Sequence, residues 1–204
     1  AVVTASLRTG NALAEERGCN FVDTAMVYGD SEQVLGEFLP GRRERWLVAS
    51  KYSGQPEGMR ATLEAQLRRL HCEHLDFYQV HWMPSRSEGK LFDELLALKA
   101  AGLVRAVGVS LKTAADIKRL LARGDIDGFM LRLSLLDPDP FVACGDAIAA
   151  ARPAVVVRSA LREGFLSGKF SAASVFDDPN DQRREWSRER IEQMIAKGVA
   201  EGAQ

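Results

Sequence analysis

Cysteine is scarce in this chain: Cys19, Cys72 and Cys144 are the only three in 204 residues, odd in number and far apart. That pattern argues against a disulfide framework and suits reduced thiols packed as small hydrophobes. Net charge is nearly absent as well. The 27 lysines and arginines face 28 acidic residues, for a formal charge of -1. The basic residues are scattered rather than striped, which leaves no electrostatic case for nucleic acid or an anionic membrane as partner. No apolar run approaches the length of a membrane span, and the opening AVVTASLRTG lacks the charged and apolar regions of a secretory leader. A cytoplasmic location is the expectation. One group of metal-type ligands stands out, His71, Cys72, Glu73 and His74, but further ligands at zinc spacing are missing, so no metal is expected.

What is present is ample core material, 46% hydrophobic with 27% charged, enough for one globular domain over residues 1–204. No linker or low-complexity stretch divides it. Strand-like runs near 20–23, 46–50, 75–81, 104–109, 128–133 and 154–158 alternate with amphipathic segments, the pattern of a parallel sheet covered by helices. A helix over 59–70 places Met59, Leu63, Leu67 and Leu70 on one stripe after Pro56 and Glu57. Another over 113–123 opens on a Thr113–Asp116 capping box, buries Ile117, Leu120 and Leu121, and stops at Gly124. A third, 188–197, follows Ser187 and stops at Gly198. Asp177 to Arg188, with Trp186, reads as a solvated surface loop.

Polar residues sit at or just past the ends of the strand-like runs. Asp23 closes FVD, Tyr28 follows it, Lys51 ends WLVASK and His81 ends LDFYQVH. Asp23 to Lys51 is 28 residues, Lys51 to His81 is 30, and His81 to Ser110 is 29, each about the length of one strand plus one crossover helix. Strand C-termini of a β/α barrel converge on one face, so this spacing predicts one polar site. A phenol, an ammonium, a carboxylate and an imidazole gathered there form an acid/base set. The expectation is that Lys51 eases proton release from Tyr28, Asp23 keeps Lys51 charged and aimed, and His81 hydrogen-bonds a carbonyl oxygen. Trp82 would line the mouth.

At these residues the chain resembles the aldo-keto reductases. The matching stretches are FVDTAMVYGDSEQVLGEFL at 21–39, ASK at 49–51, LRRL with LDFYQVHW at 67–82, GLVRAVGVS at 102–110 and LREGFLSGKF at 161–170. The resemblance implies a (β/α)8 barrel of the TIM type, NAD(P)H-dependent reduction of an aldehyde or ketone, and Asp23, Tyr28, Lys51 and His81 as the catalytic four. It implies a nicotinamide cofactor, NADPH, held by Asp23, Ser110, Met130, Lys169 and the loop Arg158, Ser159, Ala160, Leu161, Arg162 and Glu163. Leu111, Met130, Leu133, Ser134 and Ala160 stand where the family commonly has other residues, several of them polar contacts to nicotinamide. Six strands against eight further imply that the family's first and last strands are absent, leaving one gap through which copies of the chain associate or across which terminal segments fold, and a cofactor bound weakly. Two other readings stay open: a catalytically impaired interaction or regulatory protein, and a lyase using Lys51 to form a Schiff base.

Overall fold

A computed structural model describes residues 10–84, 89–171, 173–179 and 181–202. Six strands, β1 (Phe21–Asp23), β2 (Leu47–Tyr52), β3 (Leu75–Val80), β4 (Val104–Leu111), β5 (Gly128–Arg132) and β6 (Ala154–Arg158), form one sheet in chain order. Every neighbouring pair is parallel, the arrangement of an incomplete (β/α) barrel. Parallel neighbours require crossovers, supplied by α1 (Ser31–Phe38), α2 (Met59–Leu70), α3 (Lys90–Ala100), α4 (Ala114–Leu121), and α5 (Asp139–Val142) with α6 (Gly145–Ala151); α7 (Arg188–Gly202) follows β6. Residues 10–16 are also helical.

All six expected strands are present, and the expected helix at 59–70 is α2. Helix α4 carries the expected capping box: Asp116 N–H donates to Thr113 Oγ1 at 3.1 Å, and the Asp116 carboxylate accepts from Thr113 N–H. The stop expected at Gly198 is overturned, because α7 runs on to Gly202. A glycine ends a helix by taking the left-handed conformation after the last turn, whereas inside a helix it costs only about 1 kcal/mol. The solvated loop expected over 177–188 holds for Asp177 to Pro179, Arg184, Glu185, Ser187 and Arg188, which are exposed, but not for Trp186. Trp186 is half-buried and stacks on Phe165, 5.7 Å between ring centroids. With Phe170, Phe176, Ile191 and Met194 it forms a small second core.

The main core lies between sheet and helices and is densest around β3, whose six residues are all buried. Two devices fix the helices beside β2. Gly36 on α1 rests against the backbone of α2, where an added Cβ would lie 1.9 Å from the Arg69 carbonyl oxygen. Nearby, buried Glu32 accepts from Ser50 Oγ at 2.9 Å, Gln66 Nε2 at 2.6 Å and both Arg69 Nε and Nη2, at 2.8 and 2.6 Å. Gln66 also donates to the Lys51 carbonyl at 3.2 Å and accepts from Tyr78 O–H at 2.7 Å. Ser50 and Tyr78 therefore face the helices. Since side chains alternate along a strand, Lys51 and Gln79 face the other way, into the curl of the sheet.

Candidate active site

The four residues expected from spacing converge. Lys51, 1% exposed, pairs with Asp23 across β1 and β2. Its ammonium also donates to the Thr24 carbonyl at 2.8 Å and lies 5.1 Å from the centroid of the Tyr28 ring. Tyr28 meets His81 edge to face, 5.9 Å between centroids. The local backbone explains how Tyr28 arrives there. Tyr28 N–H donates to the Ala25 carbonyl, Ser31 N–H donates to the Tyr28 carbonyl, and Gly29 between them takes φ +54. That left-handed turn is cheap for glycine and swings the phenol back over the strand ends. Thr24 Oγ1 and Ser31 Oγ, 2.6 Å apart, tie the turn down.

Three further residues complete the cluster, none of them singled out from the sequence. Gln79 donates to Asp23 Oδ1 at 3.2 Å. Thr24 supplies a carbonyl to Lys51, and Ser53 Oγ lies 3.2 Å from His81 Nδ1. Gln79 carries the one signal that would have found it, a lone amide inside the apolar run LDFYQV.

Burial sets the direction of each shift in this cluster. Burial raises the Tyr28 pKa above its ordinary value and the Asp23 charge raises it further, with Arg158 opposing. The Lys51 ammonium lies over the ring face and is bonded to Asp23 and to the Thr24 carbonyl. Burial likewise pulls Lys51 down and pushes Asp23 up, while their mutual contact pulls each back toward the charged form. Burial, then Lys51 and Arg158, depress His81. An ammonium with both a carboxylate and a carbonyl on it presents no lone pair to a carbonyl substrate, which counts against the Schiff-base reading.

The residues expected at a cofactor occupy the ends of the next three strands. Ser110 and Met130 are both buried, in register across β4 and β5. Arg158 ends β6 in register with Arg132. Lys112, Arg132 and Arg158, with Leu136, Asp137, Asp139 and Pro140, line a cleft of about 530 Å³. Arg158 is half-buried and has no ion pair among the described residues. Burial and then Arg132 pull its pKa down. An unpaired guanidinium beside a second one favours an anionic occupant.

After β6 the chain turns through left-handed angles at Ser159, Arg162 and Glu163, then at Gly164 and Gly168. Each such angle on a non-glycine residue costs roughly 1 kcal/mol or more. Arg162 pairs with Asp137 at 2.6 Å and Glu163 at 3.1 Å, and Arg132 pairs with Glu163 at 3.5 Å. Ala160, Leu161 and Lys169 are exposed, and of the residues expected at a cofactor only Arg158 lines the cleft. Ser134 serves its own turn, accepting from Leu136 N–H at 3.2 Å. His71 is the left-handed cap of α2, and His74 lies beside Asp76. Among the described residues no group of three or more His, Cys, Asp or Glu is placed to hold a metal ion. No described helix is long and apolar enough to cross a membrane.

Comparison with known proteins places the chain in a family. The chain is 29% identical over 184 residues to the aldo-keto reductase str7 of Strobilurus tenacellus, covering 84% of this chain and 54% of that protein. It is 38% identical over 121 residues to methylglyoxal reductase YeaE of Escherichia coli K12, covering 57% and 41%. The chain thus spans about half the length of the curated relatives it matches. Among solved structures, the holo form of aldo-keto reductase AKR11C1 from Bacillus halodurans superposes with a TM-score of 0.77 at 25% identity, covering 85% of this chain and 64% of that one. A Klebsiella pneumoniae aldo/keto reductase in complex with NADP and acetate gives 0.67 at 25% identity, covering 79% and 58%. The model of the aldo/keto reductase family matches residues 4–200, and the chain belongs to that family.

Proposed function

We propose that this chain carries the catalytic site of an NAD(P)H-dependent reductase that converts an aldehyde or ketone to an alcohol. The observation that carries this reading is the convergence of Asp23, Lys51, Tyr28 and His81 at the ends of three adjacent strands. A bound nicotinamide would supply the hydride to the carbonyl carbon. The chain's own residues do the rest. Tyr28, kept protonated by its surroundings, gives its phenol proton to the carbonyl oxygen as negative charge develops there. Lys51 stays fixed behind the Tyr28 ring by Asp23 and Thr24, a nearby positive charge that steadies the phenolate left after transfer. His81, whose pKa is depressed, lies 3.2 Å from Ser53 Oγ through Nδ1; in the neutral tautomer with its proton on Nε2, Nδ1 accepts from Ser53 O–H and Nε2–H donates to the same carbonyl oxygen.

The residues present fit a dinucleotide. The cleft over β4, β5 and β6 is roomy, its lining carries Lys112, Arg132 and Arg158 beside Asp137 and Asp139, and Arg158 lacks an ion pair among the described residues. The loop after Arg158 joins the cleft lining through the Arg162–Asp137 and Arg132–Glu163 pairs, and relatives of known structure include complexes with NADP and NADPH. The test is disappearance of NADPH absorbance when the chain meets a series of aldehydes, beside direct measurement of NADPH binding. Binding with no turnover across the series would favour the impaired, regulatory reading, which Met130 and Leu133 motivate by offering nicotinamide no polar contact. No binding at all would sink the reductase reading for this chain.

A further inference from the structure

The loop after β6 is held in shape from outside. Left-handed angles on ordinary residues such as Ser159, Arg162 and Glu163 persist only where surrounding contacts over-determine them. Among the described residues, one side chain from beyond the loop bonds its backbone. That side chain is Arg183, whose Nη1 donates to the Glu163 carbonyl at 2.7 Å.

Arg183 is itself fixed on every side. Asp181 accepts from its Nε at 2.9 and 3.1 Å and from its Nη2 at 2.6 Å. The guanidinium carbon lies 4.6 Å from the Phe170 ring centroid and 4.4 Å from that of Phe176. A planar guanidinium can stack on rings and fork to a carboxylate at once, which an ammonium cannot. The fit against the loop is close: a Cβ on Gly164 would lie 3.3 Å from Arg183 Nη1 and 3.0 Å from Phe170. All three guanidinium nitrogens are engaged, so Arg183 acts through the loop and not on a ligand.

We propose that Arg183, steered by Asp181 and gripped by Phe170 and Phe176, is a positioning residue that holds residues 159–168 in the conformation that receives the phosphates of a dinucleotide. The proposal rests on the cofactor reading above and adds to it the device that keeps the loop ready. Without the strut the loop keeps the Arg162–Asp137 and Arg132–Glu163 pairs but loses the bond on the Glu163 carbonyl, so its left-handed residues are held less firmly and part of the loop must be reordered each time a dinucleotide binds, which weakens affinity.

The test compares the parent chain with Arg183→Met, Arg183→Lys and Asp181→Asn, and with Ile148→Val as a stability control in a helix remote from the loop. Two readouts are taken: amide hydrogen exchange of residues 159–168 and the Kd for NADPH by fluorescence. Arg183→Met should speed exchange in the loop at least tenfold with β3 unchanged, and weaken NADPH about tenfold, or about 1.4 kcal/mol. Arg183→Lys should recover part of both, and Ile148→Val should change neither. If Arg183→Met does not fold, Asp181→Asn carries the same two readouts. Unchanged exchange in the loop overturns the proposal, as does faster exchange with unaltered Kd, or a control that weakens NADPH equally. A parent chain that binds no NADPH overturns the cofactor reading instead, and the strut is then judged by exchange alone.

Discussion

At Tyr28 the phenol keeps its proton because burial and the Asp23 charge outweigh the opposing Arg158. Tyr28→Phe keeps the ring against His81 and under Lys51 and removes only the donor. Turnover should fall by at least about 100-fold while the Kd for NADPH stays within a factor of about two. A variant with near-parental turnover would mean that another group is the acid. His81 and His74 give a pH prediction with a definite sign. Both are depressed below the ordinary histidine value of 6.5, His81 by burial, Lys51 and Arg158, and His74 by burial, Arg105 and Arg43. The folded chain therefore binds these protons less tightly than the unfolded chain, so stability is lost as pH falls below about 6.5 toward the depressed values. Denaturant melts between about pH 7.5 and about pH 5 should show this, and His81→Gln and His74→Gln should each flatten the slope. An unchanged slope in both variants would contradict the sign. The four principal residues were legible in sequence because each ends an apolar run at barrel spacing. Thr24, Ser53 and Gln79 were not, since a single polar residue beside such a run is equally at home in a core or a turn.

Among the elements, strands were the most legible, because runs such as WLVAS, VRAVGV and AVVV leave little alternative to a buried parallel strand. Helix α2 was clear for the same reason: its apolar stripe spans three turns. The short α5 and α6, four and seven residues long, fall below the window in which a helical period can be seen. The Phe165–Trp186 cluster escaped because it joins residues far apart in sequence, and local charge density argued the other way. Contact between α1 and α2 carries a sharp prediction. Gly36 has no room for even one methyl group, and the obstructing atom is backbone. Gly36→Ala should therefore destabilise the chain by about 1–3 kcal/mol, despite alanine's better helix propensity, because α1 must shift and take Glu32 off its partners. Equal or higher stability in thermal melts would show that α1 moves freely over α2.

On the scale of the whole molecule, the burial of the sheet is graded from centre to edge. Strand β3 is covered throughout, whereas Phe21 on β1 is 38% exposed, Leu47 on β2 46% and Val157 on β6 45%. Among the described residues the outer edges of β1 and β6 have no neighbouring strand. An edge with apolar side chains and free backbone donors and acceptors is a template for another strand, and natural sheets blunt such edges with charge. This 204-residue chain should therefore self-associate, with light scattering giving an apparent mass that rises with concentration. Val157→Lys places an ammonium at the β6 edge and should lower the association while leaving the thermal midpoint within a few degrees, because the parent valine is already half in water. A soluble monomer across the whole concentration range would overturn the prediction. Association that Val157→Lys leaves intact would instead assign it to the β1 edge, where Phe21→Lys is the corresponding variant.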